Sequence, residues 1–231
     1  MIVRLDEAPV NNVGGKAINL MKLAEKFRVP IGFVISADDN STYDDVLRHF
    51  DQLGVEKVAV RSSAVHEDGK DSSWAGQFDT YLNVDKDNVL EKIRACRSSS
   101  TTTRARAYAT ISHSDSGGVA VIVQAMLDPR ASGVAFSHHP VTKNHVTVIE
   151  AVAGLGEKLV SGEVIPDTYI CSDPVEKLPS DSNCVLSDDE IKKVGALTQS
   201  IKELFDYPVD VEWAFERDVL YVLQARPITT L

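Results

Sequence analysis

Apolar residues in the first third of the chain recur first with a helical period and then with strand-like runs. After Gly14-Gly15-Lys16 they recur at spacings of three and four residues, which predicts an amphipathic helix that begins at the glycines. Residues 58–61 predict a strand that ends in the cation Arg61, and residues 77–84 predict another. Glycines before a helix present backbone N–H groups to an anion, and Lys16 adds a positive charge.

Strand patterns dominate the second half. Apolar segments at residues 119–126, 133–137 and 146–152 follow in quick succession, before a glycine-containing turn and a helix at residues 188–205. This order predicts an α+β lobe with a largely antiparallel sheet. A polar segment that ends in two glycines precedes these strands, so we place a boundary there, with a first lobe at residues 1–115 and a second at residues 116–231.

The last thirty residues predict a β-hairpin that turns at Glu216-Arg217-Asp218. Pairing residue 215 with 219, 213 with 221 and 211 with 223 collects the apolar side chains on one face. The opposite face then carries Asp210, Glu212, Gln224 and Arg226. In this register the two carboxylates lie about 6.8 Å apart along the strand and no basic residue lies directly across from them.

Two interpretations of this polar face stay open from the residues alone. Alternating charges are ordinary on a solvated sheet face. Alternatively, the two carboxylates suit a Mg²⁺ ion that bridges substrate phosphates, while Arg226 supplies a planar fork for a phosphoryl group. Phosphoryl transfer needs a metal, cationic clamps and positioning, which the second interpretation supplies.

Composition excludes several classes of protein. The 231 residues contain 24 Lys and Arg against 34 Asp and Glu, and this net charge of -10 argues against nucleic acid as a partner. The apolar runs are too short to span a membrane. Three cysteines without C-x-x-C spacing indicate neither a disulfide framework nor a metal knuckle. We therefore expect a cytoplasmic protein without membrane contact.

Short motifs follow one another in a definite order along both lobes. In the first lobe the motifs are Val13-Gly14-Gly15-Lys16-Ala17, Val29-Pro30-Ile31-Gly32-Phe33, Val58-Ala59-Val60-Arg61-Ser62-Ser63-Ala64, Trp74-Ala75-Gly76-Gln77 and Thr80-Tyr81-Leu82-Asn83-Val84. In the second they include Val123-Gln124-Ala125-Met126, Glu150-Ala151-Val152, Pro166-Asp167-Thr168-Tyr169, Asp210-Val211-Glu212-Trp213 and Leu223-Gln224-Ala225-Arg226-Pro227. This order resembles the nucleotide-binding domain of the phosphoenolpyruvate synthase and pyruvate phosphate dikinase family. The ATP-binding parts of rifampicin phosphotransferase and of glucan dikinases share these motifs.

This resemblance implies an ATP-grasp-like fold in which two lobes close on ATP and Mg²⁺. It carries over roles for the phosphates, the adenine, the metal and catalysis. Lys16 and Arg61 match positions that bind the phosphates, and Thr80 matches a position that contacts the nucleotide. Residues that match the adenine segment are Gln124, Ala125, Met126 and Leu127. Glu212 and Gln224 match metal and nucleotide ligands, Arg226 matches a γ-phosphate clamp, and Asp210 is similar to a catalytic-site carboxylate. We therefore expect catalytic roles for Lys16, Arg61, Asp210 and Arg226. From the residues themselves we add Gly14 and Gly15 at the helix start to the nucleotide site, and Gly76 in a loop that is either a phosphate-approach loop or a turn.

The family reaction passes the β-phosphoryl group of ATP through a phosphohistidine on a mobile domain. The sequence stops at Leu231, where the linker to that domain begins in the family, and Ser137-His138-His139-Pro140 does not match the phosphorylated motif. We therefore expect a phosphotransferase module that needs a separate histidine-domain protein. The alternative is a non-catalytic nucleotide-binding or regulatory module.

Overall fold

The chain folds into two units. The computed structural model describes residues 1–64, 80–99, 118–160, 162–180 and 184–228. Unit 1 comprises Met1–Lys26 with Pro30–Met126, and unit 2 comprises Phe27–Val29 with Leu127–Leu231.

Unit 1 is built on a five-stranded antiparallel sheet. Its strands are β1 (Ile2–Arg4), β2 (Gly32–Ile35), β3 (Val58–Ala64), β4 (Thr80–Val84) and β5 (Val119–Ala125). Their order in the sheet is β1-β2-β5-β3-β4. Its helices are α1 (Gly14–Ala24), α2 (Tyr43–Leu53) and α3 (Val89–Ser99). Helix α2 begins at a capping box, in which the Thr42 side chain accepts from the Asp45 N–H and the Asp45 carboxylate accepts from the Thr42 N–H.

The position of β5 corrects the predicted lobe boundary. Residues 119–125 form a central strand of unit 1, paired with β2 on one side and β3 on the other, rather than the first strand of the second lobe. Val121 and Val123 join the core formed with α2 and α3, and the alternate residues Ala120 and Ile122 are also fully buried. Burial on both faces explains the continuous apolar run. The division therefore falls after Met126 instead of at residue 115.

Unit 2 contains a six-stranded antiparallel sheet, as predicted for the second lobe. The strands are β6 (Ala131–Phe136), β7 (Val148–Ala153), β8 (Asp167–Ile170), β9 (Glu176–Leu178), β10 (Val209–Glu216) and β11 (Val219–Pro227). Their order in the sheet is β11-β10-β6-β7-β8-β9. Two helices complete the described part of the unit, α4 (Glu157–Val160) and α5 (Asp188–Phe205).

Helix α5 covers one face of this sheet. Its buried residues Ile191 and Val194 pack in a cluster with Trp213 and Phe215 of β10. The helix begins at a capping box between Ser187 and Glu190. Across the residues that the structure describes, every helix is too short or too polar to cross a membrane.

The hairpin of β10 and β11 corrects the predicted register. Glu216 pairs with Val219, so the turn has two residues, Arg217 and Asp218, with φ of 48° and 65°. Positive φ at both positions is the geometry of a type I′ turn, whose twist matches paired strands. Trp213 consequently lies opposite Val222 rather than residue 221.

A bulge restores the predicted polar face. The register shifts between Glu212 and Trp213, and from there Glu212 pairs with Gln224 and Asp210 with Arg226. The four polar residues therefore share one face, although their pairing differs from the prediction. The expectation that no basic residue faces the acids is wrong, because Arg226 lies directly across from Asp210.

Candidate functional site

In unit 1, the start of α1 lies against the end of β3. A Cβ on Gly14 would stand 2.4 Å from Ser63 Oγ and 2.5 Å from the Ser63 carbonyl oxygen, and Gly14 has a φ of 82°. Both facts require glycine at this position. The Ala17 N–H donates to Ser63 Oγ at 3.1 Å, so a serine of the neighbouring strand satisfies one N–H group of the first helical turn.

This contact places Lys16 beside β3, the strand whose central residue is Arg61. The Lys16 ammonium, 7% exposed, donates to the Ser62 carbonyl oxygen at 3.2 Å. Arg61 is 9% exposed, adjoins Ser62 along the strand and pairs with Thr80 of β4. The structure thus brings Lys16, Arg61 and Thr80 together. Gly76 lies outside the described residues.

The predicted adenine segment is anchored at the end of β5, where unit 1 ends. Gln124 is 3% exposed and its amide Nε2 donates to the Pro30 carbonyl oxygen at 3.2 Å, so this side chain has a structural partner. The Ala125 N–H bonds to the Ile31 carbonyl at 2.7 Å and the Met126 N–H to the Lys57 carbonyl at 3.0 Å. Leu127 is the first residue after this anchored stretch. The adenine role of residues 124–127 stays a prediction.

In unit 2, Asp210 and Arg226 form a close ion pair on the predicted polar face. Arg226 Nε donates to Asp210 Oδ2 at 2.9 Å, and a terminal guanidinium nitrogen lies 2.8 Å from the same oxygen. Asp210 is 7% exposed. Burial raises the pKa of this carboxyl, the Arg226 charge acts against the rise, and the Glu212 charge adds to it. Asp210 is therefore held near a cation yet remains costly to ionise.

Glu150 is a third carboxylate on this face, and the family resemblance gave it no role. Val134 of β6 pairs with both Glu150 and Glu212, which places the two acids on one side of the sheet. Burial raises the pKa of Glu150, and the charge of Asp210 raises it further. A lone acid between Val148 and Val152 in a period-two strand was the sequence signal for this position.

The donors on this face fit Mg²⁺ supplied together with a phosphate ligand. Among the described residues, no group of three or more His, Cys, Asp or Glu side chains could hold a metal alone. Glu212 and Gln224 are cross-strand neighbours and offer carboxylate and amide oxygens. Mg²⁺ prefers oxygen ligands and commonly takes one or two protein carboxylates, with waters and substrate phosphates completing its shell. A nearby cation would also favour the ionised form of Asp210.

Comparison with a family model identifies the type of domain. The model described as the pyruvate phosphate dikinase AMP/ATP-binding domain matches residues 40–182 and 173–231. The match covers most of both units.

Curated relatives give the same indication. A probable phosphoenolpyruvate synthase of Archaeoglobus fulgidus is 42% identical over 75% of this chain and 27% of its own length. The phosphoenolpyruvate synthase of Pyrococcus furiosus is 34% identical over 85% of this chain and 29% of its own. The rifampicin phosphotransferase of Bacillus subtilis is 37% identical over 80% of this chain and 25% of its own. The chain thus spans about a quarter of the length of these relatives.

A solved structure supports the fold. D-alanyl-alanine synthetase A of Vibrio cholerae superimposes with a TM-score of 0.51 at 12% identity, over 95% of this chain and 57% of that protein. Together with the mixed helices and antiparallel sheets, this likeness confirms the expected α+β, ATP-grasp-like fold.

Proposed function

Because this chain belongs to the family of the pyruvate phosphate dikinase AMP/ATP-binding domain, we propose that it is the Mg-ATP-binding module of a phosphotransferase. The observation that carries this proposal is the shared face of Asp210, Glu212, Gln224 and Arg226 in unit 2. The named phosphotransferases among its relatives support the same class of reaction.

The predicted cations bind phosphate groups in this proposal. Lys16 is held beside Ser62, the neighbour of Arg61 in β3, and the two residues provide an ammonium and a guanidinium for the phosphate tail. Arg226 provides a planar fork whose orientation is fixed by its two contacts with Asp210. A fixed orientation lowers the entropy that is lost when a phosphoryl group is bound.

Glu212 and Gln224 would hold the metal. When bound, Mg²⁺ supplies charge neutralisation for the phosphate oxygens. Glu212 and Gln224 fix oxygen donors across a strand pair, and Asp210 adds negative charge to the same face. Held on a rigid hairpin rather than a loop, these oxygens keep their spacing while the ligand binds.

We place the phosphoryl acceptor on a histidine outside this sequence, on a separate domain or protein. None of the six histidines of the chain falls in the family's phosphorylated motif. In the overall reaction, ATP, water and the histidine yield AMP, phosphate and a phosphohistidine, which carries the former β-phosphoryl group of ATP.

A non-catalytic nucleotide-binding or regulatory module is the second candidate function. The ion pair between Arg226 and Asp210 favours it, because the proposed clamp already has a carboxylate partner within the unit. The two candidates differ in whether ATP is consumed when an acceptor is supplied.

Calorimetric titration with Mg-ATP and with adenosine tests the binding proposal. Lys16→Ala should weaken ATP binding by about tenfold or more, the usual value of a charge-assisted hydrogen bond, and should leave adenosine binding nearly unchanged. Lys22→Ala, an exposed lysine of the same helix, is the matched control and should change neither. Equal losses for both ligands in Lys16→Ala would mean that this residue only holds the fold.

Adding an excised histidine domain of this family tests the transfer proposal. The chain with ATP, Mg²⁺ and this domain should form AMP, phosphate and an acid-labile phosphoprotein, and Arg226→Ala should abolish the label. ATP binding without any AMP or label would instead support the non-catalytic module. Labelling of one of the chain's own histidines would show that the acceptor assignment is wrong.

A further inference from the structure

Unit 2 contains a cavity that the proposed ATP site does not use. It has a volume of about 380 Å³ and lies where α5 packs beside the segments that flank β7 and β8. Polar groups that line it include Ser137, His145, Thr147, Lys192, Gln199 and Lys202. This volume is at the lower end of the range for small-molecule sites.

The charge of this cavity is opposite to that of the whole chain. Two lysines and a histidine line it, and no aspartate or glutamate does so among the described residues. The chain as a whole carries a net charge of -10. A basic cavity in an acidic protein concentrates anions rather than cations.

A chain of hydrogen-bond contacts joins His145 to the core of unit 2. The Val209 N–H donates to Ser137 Oγ at 2.8 Å, and Ser137 Oγ lies 3.2 Å from His138 Nδ1. His138 Nε2 in turn lies 2.9 Å from His145 Nδ1. When Ser137 donates to His138 and His138 donates to His145, the proton of a neutral His145 ring lies on Nε2.

Its surroundings favour the neutral form of His138. His138 is 5% exposed. Burial lowers its pKa, and the positive charge of Lys202 and the proximity of His145 lower it further. His145 itself is exposed and accessible to a ligand.

The wall of the cavity on the α5 side is also fixed. Gln199 Nε2 donates to Thr147 Oγ1 at 2.7 Å and to the Ser137 carbonyl oxygen at 3.4 Å, which ties the helix to the segments after β6 and before β7. Lys192 and Lys202 stand on the same helix on either side of this amide. The positive groups therefore project from a rigid element rather than from a loop.

We propose that this cavity binds a small oxyanion, a phosphate or carboxylate group, through Lys202 and His145, while Lys192, ten residues earlier on α5, adds positive charge. The Lys202 ammonium donates hydrogen bonds and carries a full charge, and a bound anion favours the form of His145 that donates from Nε2. The site is distinct from the residues proposed for ATP.

In NMR spectra of the isotope-labelled full chain, the ring resonances of His138 and His145 report directly on this cavity. Inorganic phosphate and malonate are titrated separately against sodium chloride of equal ionic strength. We expect a saturable shift of the His145 resonances with phosphate, malonate or both. A response to phosphate alone identifies a phosphate ligand, and a response to malonate alone identifies a carboxylate ligand.

Matched lysine variants locate the binding. Lys202→Gln should weaken the binding at least about tenfold, and Lys192→Gln should weaken it in the same direction. Lys193→Gln removes the same charge from an exposed position of α5 that does not line the cavity, and should change the affinity less than about twofold. Lys16→Ala should leave the shift intact.

Three results would overturn the proposal. The first is the absence of a shift by either anion beyond that of chloride. The second is an equal loss in Lys202→Gln and Lys193→Gln, which would indicate general charge attraction. The third is loss of the shift in Lys16→Ala, which would mean that the anion binds in unit 1.

Discussion

Two buried aspartates of unit 2 have pKa values that are shifted in opposite directions. Asp167 accepts hydrogen bonds from the Ser180 N–H at 2.6 Å, the Ser180 hydroxyl at 2.8 Å, the Val185 N–H at 2.7 Å and the Tyr169 hydroxyl at 2.9 Å. Burial acts to raise its pKa, but these bonds outweigh burial and hold the pKa below its usual value. Asp210 has only Arg226 as its hydrogen-bond donor among the described residues, and burial raises its pKa.

The difference separates a structural carboxylate from a candidate site carboxylate. Both residues lie in family motifs and both are almost fully buried, at 1% and 7% exposure. Asp167 uses its oxygens to fix Ser180 and Val185 to β8. Burial makes the ionisation of Asp210 costly in free energy, and an incoming cation would reduce that cost. The number of donors, rather than burial, distinguishes the two roles.

The largest expected effect is on stability when Asp167 is changed. Asp167→Asn places an amide N–H₂ against groups that donate, so it should lower the free energy of unfolding by about 3 kcal/mol. Urea unfolding measures this loss. Asp188→Asn is the control, because Asp188 is exposed and paired with Lys177, and it should cost less than about 1 kcal/mol. Similar losses for both variants would contradict the structural role of Asp167.

The pH dependence of stability should differ in sign between the two aspartates. The stability that Asp167 contributes should be present above the unfolded pKa of about 3.8 and be lost as pH falls through its lower folded pKa. For Asp210, whose folded pKa is raised, the cost of ionisation should be present above the folded value and disappear as pH falls toward about 3.8. Unfolding free energies of wild type, Asp167→Asn and Asp210→Asn between pH 3 and 7 measure both trends. If the difference in unfolding free energy from wild type changed in the same direction with pH for both variants, the comparison would be wrong.

The smallest expected effect on stability is that of Asp210→Asn. The amide oxygen can still accept from Arg226 and the desolvation cost of the charge is removed, so the free energy of unfolding should change by less than about 1 kcal/mol in either direction. Mg-ATP affinity should nevertheless fall in the same variant. A loss of stability as large as that of Asp167→Asn would assign Asp210 a structural role instead.

The sequence predicted which polar residues share a face within each strand of the hairpin, because strand alternation is a local property. Period-two spacing places Asp210 with Glu212 and Gln224 with Arg226, whatever the exact pairing. The register was not predictable in this way. It depends on a two-residue turn with positive φ and on a bulge opposite Glu212 and Trp213. The pattern of apolar residues in the sequence indicates neither feature.

Long-range contacts account for the other differences. Residues 119–125 read as a strand, but their place between β2 and β3 depends on pairing with segments about 60 and 90 residues earlier in the chain. Likewise, the donors that make Asp167 structural come from residues 13 and 18 positions later. Glu150 was visible as a lone acid in an apolar strand, but its proximity to Asp210 required the sheet order.

The most direct test of the proposed Mg-ATP site is the affinity of Glu212→Gln for ATP, measured by calorimetry with Mg²⁺ and with EDTA. The control is Glu216→Gln, four residues along the same strand, where the amide oxygen can still accept from the Asp128 N–H. We predict that Glu212→Gln weakens ATP binding about tenfold or more with Mg²⁺, that this defect shrinks to less than about threefold in EDTA, and that Glu216→Gln has no effect in either condition. An equal defect of Glu212→Gln with and without Mg²⁺ would contradict the metal-ligand role of Glu212.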